Sequence, residues 1–422
     1  MEQDKTPRHI LLATTGESPQ VVTETLYAIH EEGLTWPDEI RLITTTVGKA
    51  GARKGLLDEG HLARLCAEIG KPLPVFDEAH IEVVPGADGT EVDDARSLAD
   101  HEALGDFIMT RVRDLTVTDE QGKPVQTVHA SLAGGRKTMT FYLGYAMSLF
   151  GRREDTLSHV LISRGFEGNP GFWFPTAAPE HRYLQDRQGE KMDASAATVT
   201  LALIPFVRHR HDLPALLQQS GTAVHFRDLV RLINLGDLPD ELHLDIDLPG
   251  QKIRISDSRS KLSFEFAPGL LALAFYAVMA RATLNSNSTL YRPSGEYAHA
   301  AGTILRDQVL QELLRLHEQP ISSNLDQNIQ SLRGLFKDAS LNSLKEPLTH
   351  TWFDQRKNEL SKLFKERLTE RVSQWLTPEI IWDDAGERLK PTDKVVKGGG
   401  YGIPLNVGNI ELIEMTEQDR IA

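Results

Sequence analysis

Cysteine is nearly missing from this chain: Cys66 is the only one in 422 residues. That excludes an intrachain disulfide framework and any cysteine-rich zinc site, and it fits a reducing, cytoplasmic setting. Long apolar runs are missing as well. No stretch approaches the roughly 20 residues that cross a bilayer, so no membrane partner is expected. Residues 1–9 are polar and lead into a short strand pattern, which is unlike a signal peptide. Positive charge is scarce: 46 Lys and Arg stand against 60 Asp and Glu, a formal net charge of −14. This excludes a chain that coats nucleic acid non-specifically, while leaving room for a local basic surface. Histidines are scattered, and His209 and His211 offer no metal-ligand spacing, so neither a metal nor another cofactor is expected. Repeats and low-complexity tracts are absent.

What is present is regular alternation. The length calls for more than one core. Strand patterns at 9–15, 40–46, 81–84, 125–131, 159–163 and 198–206 alternate with helical ones. This predicts an α/β domain over residues 1–206, a Rossmann-like parallel sheet with helices on both faces. Residues 207–225 read as a linker. Over 226–422 the pattern changes to a short helix at 226–234, then an alternating hairpin that turns at Pro249-Gly250. An apolar helix follows to residue 282, then helices at 297–318, 324–337 and 353–371, and short strands at 378–382 and 402–413. Small helices with hairpins at their edges predict a mainly α, winged helix-turn-helix-like domain with a helical insertion near 283–350.

Two loops carry the chemistry. Gly16-Glu17-Ser18-Pro19-Gln20 follows the first strand, and Gly134-Gly135-Arg136-Lys137-Thr138 follows the fourth. Each leads into a helix. Free backbone N–H groups at a helix start, together with the helix dipole, attract an anion. One corner adds a hydroxyl and an amide, the other two cations, and the pair predicts a site for a phosphate-bearing ligand. Ligands in such folds sit outside the carboxyl ends of the strands, where both loops lie. The first loop is no serine-hydrolase elbow, because the second glycine is absent. The second is no Walker loop, because Arg136 stands where that pattern needs glycine.

Plainer readings stand beside these. Ser18 serves equally as an N-cap, with Pro19 at the first helical position. Thr45 and Thr46, after Thr44, suit either ribose and phosphate contacts or simple strand propensity. The aromatics of 165–175, Phe166, Phe172, Trp173 and Phe174, either stack on bases or pack a core. Arg356, Lys357, Lys362 and Lys365 lie on one helical segment where basic residues outnumber acidic ones. They form either a DNA-recognition face or a solvated surface. Arg292 and His299 fall within the loose spacing of HEPN ribonucleases, which gives a weak third reading as a messenger-activated ribonuclease.

The segment from Leu11 to Tyr27, LLATTGESPQVVTETLY, resembles the opening of the CRISPR-associated Rossmann-fold (CARF) family, and Ser131 to Met139, SLAGGRKTM, resembles that family's second ligand motif. The likeness covers about residues 8–206. Tyr401 to Leu405 is similar to the winged-helix end of some members. The resemblance implies a homodimer that holds a cyclic oligoadenylate, tetra-adenylate favoured over hexa-adenylate, across its two-fold axis. It further implies a ring-nuclease-like branch that cuts the messenger of type III CRISPR immunity. By this resemblance Ser18 and Lys137 are catalytic, and Gly16, Glu17, Gln20, Thr45, Thr46, Gly134, Gly135, Arg136 and Thr138 bind ligand. The alternative is a cyclic-oligoadenylate-gated transcription regulator, with DNA as a partner of the C-terminal half.

Overall fold

The computed structural model describes residues 7–93, 96–186, 188–221, 224–285, 289–336, 338–383, 387–389 and 399–414. Residues 1–6 of the polar start lie outside them. The chain divides into two compact units, residues 1–213 with 217–227, and residues 214–216 with 228–422.

The first unit runs β1 (Arg8–Thr14), α1 (Gln20–Glu31), β2 (Glu39–Thr44), α2 (Thr46–Ala52), α3 (His61–Glu68), β3 (Ile81–Val83) and α4 (Leu98–Leu115). It continues with β4 (Gln126–Ser131), α5 (Lys137–Phe150), β5 (Thr156–Ile162), β6 (Tyr183–Gln185), β7 (Lys191–Asp193) and β8 (Val199–Leu203). The main sheet has the order β3-β2-β1-β4-β5-β8. The run from β3 to β5 is parallel, as the alternation predicts. Central strands buried on both faces read as continuous apolar runs, and Ile10 to Ala13 of β1 are all at most 2% exposed. Leu11 and Ala13 face a core shared with α1 and α3, built on Val22, Leu26, Leu62 and Leu65. Helices α4 and α5 pack against each other, so closely that a Cβ on Gly105 would meet the Tyr142 ring at 3.0 Å.

Two boundaries differ from expectation. β2 stops at Thr44, because Thr45 turns to cap α2 and its hydroxyl accepts from the Gly48 N–H at 3.3 Å. The last strand, β8, pairs antiparallel with β5, with Ser158 opposite Leu203. Among the described residues no crossover α-helix intervenes between the two. The chain passes through the β6–β7 hairpin, a 3-10 turn at Ala194–Ala196 and loops, and turns back beside β5 instead of crossing over.

Opposite the strand ends that carry the two loops, the sheet is closed by a buried ion pair. Asp155, with no exposed surface, accepts from the Arg152 guanidinium at 2.9 Å and from the Val128 N–H at 2.9 Å. The rest of the Arg152 fork is taken by the carbonyls of Val117 and Gln126. Arg208 and Arg210 then donate to the carbonyls of Arg152, Asp155 and Phe150. Residues 207–213 of the expected linker thus pack on this unit.

The second unit contains α6 (Phe226–Leu235, its first two residues counted in the first unit), β9 (Leu242–Asp247), β10 (Lys252–Asp257), β11 (Ser263–Phe266), α7 (Leu270–Leu284), α8 (Ala298–Leu316), α9 (Leu325–Ser331), α10 (Asp338–Asn342), α11 (His350–Lys365), α12 (Glu370–Leu376), β12 (Glu379–Trp382), β13 (Gly400–Gly402) and β14 (Ile410–Ile413). The apolar helix α7 is its hub: Ala272 through Ala280 are all buried, and the Tyr276 hydroxyl donates to the Leu376 carbonyl at 2.7 Å. The expected hairpin is present as β9–β10, in a sheet of order β11-β10-β9-β14. The helix expected at 353–371 is two helices. Thr369 starts a new one by accepting from the Val372 N–H.

The Arg152–Asp155 pair is fully satisfied, so removing one partner strands a buried charge. Asp155→Ala should lower unfolding free energy by about 3–5 kcal/mol, measured by urea denaturation.

Candidate functional site

Both marked loops lie where the sheet reverses its strand order, between β1 and β4. That crevice is where open α/β sheets bind ligands. The loops touch. A Cβ on Gly16 would lie 3.8 Å from the Gly135 Cα, and one on Gly134 would lie 2.7 Å from the Thr14 carbonyl oxygen. Gly135 also holds φ +91°, a left-handed conformation that favours glycine. These two glycines are therefore required by close approach and by backbone geometry.

Three buried hydroxyls fix the arrangement. Thr14 Oγ1 donates to the Gly134 carbonyl at 2.7 Å. Thr15 Oγ1 donates to the Ser18 carbonyl at 2.9 Å. Thr44 Oγ1 donates to the Thr15 carbonyl at 2.8 Å, so the end of β2 joins the other two. Of the threonine run, Thr44 is thus a staple and Thr45 is a cap, while Thr46 lies in the first turn of α2.

Pro19, already in right-handed helical conformation, starts α1 without a side-chain cap. Ser18 is exposed, and its hydroxyl makes no hydrogen bond to the helix. The N-cap reading of its side chain therefore fails, and the hydroxyl is available. Lys137 opens α5, is exposed, and forms no ion pair among the described residues. Arg136 precedes it in extended conformation. The Thr138 hydroxyl is buried without a partner. Gln20 donates from Nε2 to the Pro170 carbonyl at 3.0 Å, while its Oε1 is buried and unpaired. Glu17 is exposed beside Ser18.

Next to the first corner lies a cavity of about 490 Å³, lined by Glu17, Ser18, Gln20, Glu24, His159 and Glu167 among others. Glu24 is only 7% exposed. Burial pushes its carboxyl up to about 7, and the nearby Glu167 charge adds to the shift. Sequence reading missed this residue. The available signal was its position four residues after Gln20, on the same helical face.

The aromatics of 165–175 are core. Phe166 packs on Phe172, Trp173 stacks on His61 at 3.9 Å between ring centroids, and Phe174 is 1% exposed. On α11, Lys357 pairs with Glu379, Lys365 with Glu370, and Arg356 lies 3.2 Å from Glu359. Lys362 is exposed and unpaired among the described residues. Arg292 is held by Asp354, and His299 is exposed. Among the described residues no three His, Cys, Asp or Glu side chains gather closely enough to hold a metal ion, and no helix is long and apolar enough to cross a membrane.

A Rossmann-like parallel sheet with a crevice at its switch point, followed by a helical unit, defines the class of fold. Residues 18–232, half of the chain, match the family model of CRISPR-associated protein NE0113, and the protein belongs to that family. No curated protein matches it.

Two outcomes follow from this geometry. Gly134→Ala forces a methyl against the Thr14 carbonyl and the Val21 side chain, and should cost about 1–3 kcal/mol of stability in a denaturant titration. Glu24 has a folded-state value near 7 against 4.5 unperturbed, so the folded form binds the proton more tightly. Its contribution to stability is therefore lost as pH rises from 4.5 to 7, by about 3 kcal/mol. Glu24→Gln should gain stability over wild type across that window, read as a widening gap in urea midpoints between pH 5 and 7.5.

Proposed function

We propose that the first unit is a receptor for a cyclic oligoadenylate, and that its paired corners cleave the ring without a metal. The observation that supports this reading most is the convergence of two helix starts on adjacent strands, with Ser18, Lys137 and the Thr138 hydroxyl all uncommitted there. Membership of a CRISPR-associated family supports it independently.

The chemistry asks little of the protein beyond placement. A ribose 2′-oxygen attacks the adjacent phosphorus in line, the bond from phosphorus to the 5′-oxygen breaks, and the hydroxyl proton ends on that 5′-oxygen. The products carry a 2′,3′-cyclic phosphate and a free 5′-hydroxyl. Ser18 and Gln20 orient the ribose and phosphate. Lys137, Arg136 and the Gly134–Gly135 amides stabilise charge growing on the phosphoryl oxygens. Two copies of the chain, related by a two-fold axis, each supply one such pair to a closed ring. The alternative of a cyclic-oligoadenylate-gated, DNA-binding transcription regulator lacks comparable support, because three of the four α11 cations face carboxylates of their own chain.

The test is incubation with labelled cyclic tetra- and hexa-adenylate in EDTA, followed by mass spectrometry. Wild type should yield linear products ending in a cyclic phosphate. Lys137→Ala should slow cleavage about 100-fold or more while weakening binding far less, as expected when a cation acts mainly on the transition state. An intact ring after long incubation overturns cleavage, and no detectable binding overturns the receptor.

A further inference from the structure

We infer that the cavity beside the Ser18 corner is a base-recognition subsite, in which the Glu24 carboxyl reads the amino edge of an adenine ring. The inference rests on the cyclic oligoadenylate reading and assigns that ligand's base to a specific side chain.

The cavity is the wrong place for phosphate. Glu17, Glu24 and Glu167 line it, and among the described residues no Lys or Arg does. Phosphate is repelled here and drawn to the Arg136–Lys137 corner, so a nucleotide bound across both would turn its base inward. About 490 Å³ accommodates a purine. Apolar walls such as Val21 and Leu161 suit its faces, and the polar groups suit its edge.

Two of those polar groups lack partners. Glu24 is nine-tenths buried and makes no hydrogen bond or ion pair among the described residues. The Gln20 amide is oriented by the Pro170 carbonyl, which leaves its own oxygen buried and unmet. A buried group without a partner is costly, and a ligand that supplies the partner recovers that cost. The Gln20 oxygen only accepts, so the ligand edge must offer it a donor.

The proton on Glu24 sets which edge fits. A neutral carboxyl offers one O–H donor and one acceptor, which matches the N1 acceptor and 6-amino donor of adenine. A carboxylate offers acceptors only and loses the bond to N1. The charged and titratable groups facing it are the Glu17 and Glu167 carboxylates and the His159 imidazole. Glu167 favours the neutral form. Adenine recognition should therefore weaken as pH rises past 7, by up to about tenfold per pH unit for one linked proton.

The experiment compares the affinities of cyclic tetra-adenylate and its 1-deazaadenosine counterpart from pH 6 to 8.5, by calorimetry. 1-Deazaadenosine keeps the 6-amino donor and carries a C–H in place of N1, so it loses only the bond from the neutral carboxyl's O–H. General charge repulsion acts on both rings and cancels in their ratio. Wild type should prefer the adenine ring at pH 6 and lose that preference above pH 7. Glu24→Gln, a permanent donor and acceptor, should keep the preference at every pH, and Glu24→Ala should abolish it. A wild-type ratio that does not change with pH, or a Glu24→Ala ratio equal to wild type, overturns this inference while the receptor stands. Failure of wild type to bind either ring at any pH overturns the receptor reading and this inference together.

Discussion

Each of three buried threonine hydroxyls, on Thr14, Thr15 and Thr44, is bonded to a carbonyl in a strand-end loop. This small set of bonds is the constraint from which the site follows. Carbonyls at the end of a buried strand have left the sheet ladder and need other donors. Supplying them from Thr14, Thr15 and Thr44, at and just past the ends of β1 and β2, brings three loops to one point. The close approach then admits only glycine at position 134. With the loops locked, the starts of α1 and α5 face the same crevice, and their amides and side chains converge there.

The same geometry sorts charge. Arg136 and Lys137 stand at one corner, and carboxylates line the cavity beside the other. A molecule that is anionic along its backbone and neutral on its bases meets opposite surfaces within one crevice. That separation gives orientation as well as attraction. Overall charge says little about a crevice only a few residues wide.

Much of this was legible in the sequence, for reasons that can be named. Continuous apolar runs such as Ile10 to Ala13 mark strands buried on both faces, and a glycine pair followed by two cations marks a strand-to-helix corner. Three things were not legible. The direction of β8 depends on whether a crossover helix intervenes, and the β6–β7 strands are too short to show in a pattern. The Thr44 hydroxyl looks the same in sequence whether it meets a ribose or the Thr15 carbonyl. Glu24 reads as a polar residue of an amphipathic helix, and only the packing of α1 shows that it is buried. On α11 the cations suggested a binding face, but the partner of Lys357, Glu379, lies on β12, where local charge counting does not see it.

The antiparallel return of β8 has a consequence for the segment that follows it. A strand that doubles back delivers the polypeptide to the floor of the sheet, where Arg208 and Arg210 anchor it to the carbonyls around Arg152. Beyond that anchor the chain turns back along α4, where Ser220 donates to Asp114, His225 meets Asp106 and Arg227 donates to Glu102, so residues 217–227 stay on the first unit. The segment after β8 is thus a structural part of the first unit, because cutting the chain behind β8 would strip three carbonyls at the sheet's floor of their arginine donors.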